Sequence, residues 1–192
     1  MLIVVNRNDA ASLEIGEYYR LKRNAPKANV CALQTTAAEE IDRATYDGIV
    51  AHAKRDHPDE ACGIVAGPEG SDRPERLVEM VNAAGSPTFY EFDSTELLAL
   101  YKDLWARDEE PVVVYHSHTA TEAYPSRTDI GLAMEPMAHY VLVSTREHGN
   151  NEGSVEFRSY RIVDGEVTEE EVAVVDALPD VLETSQGDRD GG

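Results

Sequence analysis

The sequence VVVYHSHTATEAYPSRTD, residues 112–129, begins as a β-branched run and continues into a cluster of polar groups. Side chains two apart on a strand point to the same side, so His116 and His118 should project together from the strand's end. Ser126, followed three positions later by Asp129, is typical of a helix N-terminus, and the loop before it would bring the chain back over the strand's end. Two imidazoles and a carboxylate would then meet. Three such ligands can hold zinc and leave a fourth position open, as in catalytic zinc sites.

Neither half of this stretch is specific by itself. A His-x-His pair on a strand usually belongs to an ordinary polar surface, and Ser126 with Asp129 alone would only start a helix. Together, four fixed residue types at fixed spacing arise by chance in roughly one chain in a thousand. The combination therefore favours a metal-dependent hydrolase.

Outward from this stretch, strand-like and helix-like segments follow one another. An apolar stripe from Ile41 to Ala53 predicts a helix that Pro58 stops, and Asp93-Ser-Thr-Glu96 resembles a capping box that opens a second helix. We predict strands over residues 61–66, 76–81, 111–115 and 139–144, a short helix over 126–134, and a hairpin of 155–163 with 167–175 across the type I′ turn signal Asp164-Gly165. The predicted fold class is α/β, with a mixed sheet flanked by helices, and the order of the strands is left open.

Composition and charge exclude several classes of protein. The chain has 192 residues, of which 42% are hydrophobic, and this is enough for a real core. Its formal net charge of −20 would repel phosphate backbones, so we expect no nucleic-acid partner. No apolar run approaches the roughly 20 residues that span a bilayer, and none resembles a secretory signal, so we expect no membrane partner and a cytoplasmic location. The two cysteines, Cys31 and Cys62, fit a reducing compartment.

The charge is also distributed unevenly along the chain. Residues 1–34 carry five Lys/Arg and three Asp/Glu, whereas the rest of the chain is strongly acidic. We therefore predict an N-terminal appendage over residues 1–38, the main domain over residues 39–175, and an acidic, disordered tail over residues 176–192.

The stretch 116–129 carries the pattern H-S/T-H-x7-S-x2-D and resembles the JAMM (MPN+) metalloproteases. An upstream glutamate completes that family's pattern, and Glu60 in DEACG, residues 59–63, matches it. The resemblance covers about residues 40–175. In detail, DHPDEACGIVAGPEGSDRPER and YHSHTATEAYPSRTD are similar to the bacterial branch that acts on ubiquitin-like sulfur carriers and releases cysteine from their C-terminal Gly-Gly.

The resemblance implies a JAMM/MPN, cytidine-deaminase-like architecture and a role for each matched residue. One zinc ion per chain would be held by His116, His118 and Asp129. Glu60 would act as the general base, and Ser126 would donate a hydrogen bond to the oxyanion. The implied partner is a small ubiquitin-like sulfur-carrier protein ending in Gly-Gly. Two alternatives stay open: a JAMM peptidase acting on another ubiquitin-like conjugate, and a non-catalytic binding module with this fold.

Other reactive side chains favour structural roles. Cys62 is more typical of a buried structural cysteine than of a redox-sensitive thiol. His139 opens an apolar strand and is typical of a satisfied core residue. His52 and His57 lie at the end of a predicted helix, where a partial positive charge suits the helix dipole, and His148 lies in a Gly/Asn-rich loop.

Overall fold

The computed structural model describes residues 2–6, 10–33, 38–146 and 155–178. The helices are α1 (Ala10–Lys22), α2 (Arg43–Asp56), α3 (Ser94–Ala106) and α4 (Arg127–Leu132), with a 3-10 turn at Lys27–Asn29. The strands are β1 (Ile3–Asn6), β2 (Val30–Leu33), β3 (Glu39–Asp42), β4 (Cys62–Pro68), β5 (Arg76–Met80), β6 (Glu109–His118), β7 (His139–Ser144), β8 (Glu156–Val163), β9 (Glu166–Glu170) and β10 (Val172–Val175). No helix within these described ranges is both long enough and apolar enough to cross a membrane.

A six-stranded sheet with the order β5-β4-β6-β7-β8-β9 forms the body of the fold. Its neighbouring strands are antiparallel except β6 and β7, which are parallel. Helix α2 packs on one face through Ile49 and Ala53, in a cluster with Val113 and Tyr115. On the other face, α3 packs through Leu100 and Leu104. The predicted α/β class, a mixed sheet flanked by helices, is therefore confirmed.

The parallel pair of β6 and β7 sets the position of the polar cluster. Because the strands run side by side, their C-terminal ends lie at the same edge of the sheet, with His118 opposite Ser144. The chain is tied down just beyond that edge: the Thr145 N–H donates to the His118 carbonyl at 2.9 Å, and the Ser144 hydroxyl donates to the Thr121 carbonyl at 2.5 Å. The loop after β6 is thus held over the strand ends.

The N-terminal residues form a small unit in which β1 and β2 are parallel and α1 connects them. Gly16 lets α1 approach β1 closely, since a Cβ at this position would lie 2.2 Å from the Val5 Cγ1 atom. This unit falls within the predicted appendage of residues 1–38, and the boundaries of the three segments stay a prediction. Of the predicted tail, the part after Leu178 lies outside the described residues.

Two predictions about local structure were wrong. Ile41 belongs to β3 and not to a helix, because Asp42 caps α2 by accepting hydrogen bonds from the backbone N–H groups of Ala44 and Thr45, both at 3.0 Å. The predicted strand 167–175 is two strands, because the chain leaves the sheet after Glu170 and β10 pairs in parallel with β3. Its alternating valines pack against the α2 side of the core instead.

Two other local predictions agree with the structure, namely the start of the second helix at Asp93 and the turn at Asp164-Gly165. The Asp93 carboxylate accepts from two N–H groups in the first turn of α3, at 2.9 and 3.0 Å. In the hairpin of β8 and β9, Asp164 and Gly165 have φ angles of 51° and 81°. A type I′ turn requires positive φ at both central residues, so the prediction of this turn is confirmed.

Candidate metal centre and active site

Three side chains converge where β6 ends and α4 begins. The Nε2 atoms of His116 and His118 lie 3.2 Å apart, and both face Asp129, whose Oδ2 atom is 3.5 and 3.4 Å from them. One ligand atom from each residue lies within 4.8 Å of the other two. Both imidazoles are buried, and Asp129 is only partly exposed. The structure therefore brings together the three residues that the sequence predicted as ligands.

Hydrogen bonds and charge orient the side chains of this cluster. The His118 Nδ1 atom lies 2.8 Å from the Glu122 carbonyl, so Nδ1 carries a hydrogen, and Nε2 is the ring nitrogen that faces the cluster. Burial raises the pKa of Asp129, but hydrogen bonds from both imidazoles outweigh it and hold that pKa well below its usual range. Burial lowers the pKa of His116. Burial also acts to lower the pKa of His118, but the hydrogen bond to the Asp129 carboxylate opposes this effect, and the pKa of His118 is raised.

Ser126 and Asp129 form a reciprocal capping box at the start of α4. The Ser126 N–H donates to the Asp129 carboxylate at 2.6 Å, and the Asp129 N–H donates to the Ser126 hydroxyl oxygen at 3.2 Å. The first bond orients the carboxylate toward the two histidines. In the second bond the hydroxyl is an acceptor, so the cap does not use the hydroxyl hydrogen, which also interacts with the Asp129 carboxylate. Capping and a role at a reacting oxygen are therefore compatible.

Glu60 lies next to this cluster, two residues before the start of β4. It is 6% exposed, and its backbone is fixed on both sides: its N–H donates to the Ser86 carbonyl and its carbonyl accepts from the Asn82 amide, each at 2.9 Å. Burial raises the pKa of the Glu60 carboxyl to about 7, with the charge of His118 opposing and that of Asp129 adding to the rise. A pKa near neutrality suits a group that must both accept and release a proton.

The loop 82–92 also lines the site, and sequence reasoning missed it. The Tyr90 ring stacks on the His116 imidazole, with centroids 4.5 Å apart and planes 25° apart. Asn82 organises the loop, since its amide donates to the carbonyls of Glu60 and Phe89 and accepts from two backbone N–H groups. An aromatic residue in a loop has no periodicity, so no sequence signal pointed to Tyr90.

Tyr90 compensates for an unusual feature of His116. Metal-bound histidines generally donate their second ring N–H to an oxygen, which fixes the ring. Within the described part of the chain, His116 Nδ1 is the one buried side-chain nitrogen or oxygen without a hydrogen-bond partner. The stacked Tyr90 ring therefore orients the imidazole where a hydrogen bond would do so elsewhere.

The other candidate residues have structural surroundings. Cys62 is buried, and burial raises the pKa of its thiol to about 12, which agrees with a structural cysteine. His52 is buried with its ring nitrogens 2.7 Å from the Tyr115 hydroxyl and 3.0 Å from an Asp56 oxygen. His57 is the C-cap residue of α2. His148 lies outside the described residues.

His139 belongs to a second group of possible ligands, with Glu39 and Asp72. Its Nδ1 atom lies 2.8 Å from a Glu170 oxygen, as expected for a satisfied core histidine. The guanidinium of Arg161 lies 2.9 Å from His139 Nε2 and 3.3 Å from the Asp72 carboxylate. Arg161 thus already supplies positive charge to this group.

Comparison with known proteins places this fold and site in a family. Residues 42–163 match the family of prokaryotic homologues of the JAB domain. The CysO-cysteine peptidase of Mycobacterium tuberculosis (strain ATCC 25618 / H37Rv) is 65% identical over 130 residues, which cover 68% of this chain and 86% of the relative. A desampylase of Haloferax volcanii is 30% identical over 103 residues, which cover 51% of this chain and 74% of the relative.

A solved structure agrees with the family match. The solution structure of a protein from Desulfitobacterium hafniense has a TM-score of 0.62 and 29% identity, and the match covers 72% of this chain and 94% of that chain. The chain belongs to the JAB (JAMM/MPN) family, and it is a peptidase. The resemblance stated from the sequence is thereby confirmed, including its bacterial branch.

Proposed function

We propose that this chain is a zinc peptidase that hydrolyses the amide bond after the C-terminal Gly-Gly of a small ubiquitin-like sulfur carrier. The reaction would release cysteine or unmask the carrier. The observation that carries the proposal is the convergence of His116, His118 and Asp129 within 4.8 Å, beside the buried carboxyl of Glu60. The 65% identity to a CysO-cysteine peptidase supports the substrate class.

The donor set fits one zinc ion per chain. Two imidazole nitrogens and one carboxylate oxygen are common zinc ligands, and three protein ligands leave a position open. The hydrogen bond from His118 Nδ1 to the Glu122 carbonyl fixes the tautomer that coordinates through Nε2. When bound, zinc would supply Lewis acidity, polarising the scissile carbonyl and acidifying water.

Glu60 is the proposed general base. Its carboxyl lies beside the cluster, and its pKa of about 7 allows it to take a proton from the attacking water and pass it to the leaving amine. The hydrogen bonds of its backbone to Ser86 and Asn82 hold it in place, so the carboxyl need not reorganise during the reaction.

Ser126 is the proposed oxyanion donor. The Asp129 N–H donates to its hydroxyl oxygen, so the hydroxyl hydrogen can turn from the Asp129 carboxylate to the negative charge that develops on the scissile carbonyl oxygen. The exposed position of Ser126 at the start of α4 leaves this hydrogen accessible to a substrate.

The deciding experiment uses small Gly-Gly-ended carriers from the same cell, each extended by one cysteine. Incubation with the zinc-loaded protein should shorten the cognate carrier by that residue, as measured by mass spectrometry. The His118→Ala variant is the control, and it should leave the carrier intact. Failure of the wild-type protein to shorten any such carrier would reject the proposed substrate.

A second candidate follows from the identity to the desampylase: the same chemistry on another ubiquitin-like conjugate. Release of a carrier from a lysine side chain, but not of a terminal cysteine, would favour it. A zinc-loaded protein that cleaves neither would favour a non-catalytic binding module. We also propose a cytoplasmic location, since the two cysteines fit a reducing compartment.

A further inference from the structure

Arg127 is an exposed cation that lies in the chain between two residues of the candidate site, Ser126 and Asp129. It is the first residue of α4, directly after Ser126 and two positions before Asp129. Its side chain is exposed, and it makes no hydrogen bond, ion pair or ring contact with any residue that the structure describes. Arg127 directly follows Ser126, so its long side chain begins beside the site, although the helical rotation of about 100° per residue directs it to a different side of α4 from Asp129.

This lack of a partner sets Arg127 apart from the other arginines of residues 38–146 and 155–178. The others are held by carboxylates or, in one case, lie over an aromatic ring. These pairs are Arg55–Glu79, Arg73–Glu75, Arg76–Glu109, Arg107–Asp103, Arg146–Glu156, Arg158–Glu156, Arg161–Glu170 and Arg43 over Tyr46. Acidic residues outnumber basic ones by 37 to 17 in this chain, so an unpaired arginine beside the site is available to an anion from outside.

The proposed substrate supplies such an anion. A cysteine linked through its amine to Gly-Gly keeps its own α-carboxylate, which lies on the same residue as the nitrogen of the scissile amide. The acids of the site, Glu60 and Asp129, and the chain's net charge of −20 repel this carboxylate, so a cation in addition to the proposed zinc ion would favour its binding. A lysine side chain in an isopeptide bond carries no carboxylate next to the scissile nitrogen.

We propose that Arg127 binds the free α-carboxylate of the released residue, and so makes the site select a single C-terminal amino acid over a conjugated lysine. This inference rests on the proposed function. A guanidinium suits the task because its planar N–H groups match a carboxylate in a bidentate pair. Arg127 then determines specificity, and it takes no part in proton transfer.

The test compares two substrates that differ only at this carboxylate. One is a carrier ending in Gly-Gly-Cys with a free carboxylate, and the other ends in the corresponding cysteinamide. Exposed ion pairs are weak, so the wild-type kcat/KM should favour the free acid by about two- to fivefold. Arg127→Gln should bring this ratio close to one, and Arg127→Lys should restore part of it.

Lys102→Gln is the matched control, since Lys102 is an exposed cation on α3 and its loss changes the net charge by the same amount. The ratio of kcat/KM for the free acid to kcat/KM for the cysteinamide should be the same in Lys102→Gln as in the wild type. The Kd values of the two carriers for proteins that also carry Glu60→Gln give a second measurement without turnover, and they should show the same selectivity.

Three results would overturn the proposal. A wild-type ratio near one would mean that the carboxylate is not recognised, and an undiminished ratio in Arg127→Gln would assign recognition to another group. A ratio that falls equally in Lys102→Gln would reduce the effect to net charge. Failure of the wild type to cleave either carrier is a distinct result, which rejects the proposed function together with this inference.

Discussion

Replacing Glu60 by glutamine should stabilise the metal-free protein while disabling its chemistry. Burial raises the pKa of Glu60 from 4.5 to about 7, with His118 opposing and Asp129 adding. An acid whose pKa is higher in the folded state binds more protons when folded. The contribution of Glu60 to the free energy of unfolding is therefore most favourable below pH 4.5 and falls as the pH rises to 7. At about 1.4 kcal/mol for each pKa unit, the ionised carboxylate destabilises the folded protein by up to about 3 kcal/mol at pH 8.

Glu60→Gln removes this charge and keeps the shape of the side chain. The variant should therefore be about 2–3 kcal/mol more stable than the wild type at pH 8 and differ little from it at pH 5. Urea unfolding with a chelator present measures both differences, and Glu69→Gln, at an exposed turn position, is the control. With zinc restored, the same variant should lose about a hundredfold or more in turnover.

Two outcomes would refute this reasoning. If Glu60→Gln is no more stable than the wild type at pH 8, the carboxyl does not carry a buried charge there. If the variant turns over substrate at the wild-type rate, the base is another residue.

Four further predictions test the metal centre and the substrate tail. His118→Ala should reduce zinc content, measured by atomic emission, from about one ion per chain to nearly none, and an unchanged content in His116→Ala/His118→Ala would place the metal elsewhere. Ser126→Ala should slow turnover by roughly ten- to a thousandfold and lower the unfolding free energy by about 1 kcal/mol; a loss of stability alone would leave Ser126 as a helix cap. Tyr90→Leu should weaken zinc binding, measured by chelator competition, more than Tyr90→Phe does, because phenylalanine keeps the ring that stacks on His116; equal affinities would contradict the orienting role. A carrier ending in Ala-Ala-Cys should be cleaved far more slowly than one ending in Gly-Gly-Cys, because the tail's backbone must approach the metal closely, and comparable rates would rule out a narrow channel.

The candidate ligands could be predicted because short-range geometry places each of them. A strand puts His116 and His118 on one side whatever lies around it, and the capping box ties Asp129 to Ser126 within one helical turn. Only the return of the loop over the end of β6 depends on contacts beyond the neighbouring residues. The sequence predicted this return from the spacing between His118 and Ser126.

The parts that could not be predicted depend on contacts between distant segments. Tyr90 meets His116 because a loop folds over the sheet, and neither periodicity nor spacing records this contact. The pairing of β10 with β3 brings Val174 opposite Ile41, residues that are far apart in the chain. The apolar spacing at Ile41 suited a helix as well as a strand, and the capping carboxylate of Asp42 was the one local sign of the boundary.

The parallel pairing of β3 with β10 has a mechanical consequence. Its four residue pairs join the strand that leads into α2 to the last described strand of the chain. A force that draws the segment before Glu39 away from the segment after Val175 pulls the two strands along their length in opposite directions. It therefore loads all the hydrogen bonds between β3 and β10 in shear at the same time. The antiparallel hairpin of β8 and β9, pulled at its open end, would instead lose its hydrogen bonds one pair at a time. Resistance to pulling is governed by the rate of unfolding, so the β3–β10 pair would slow unfolding by an enzyme that pulls on either end of the domain.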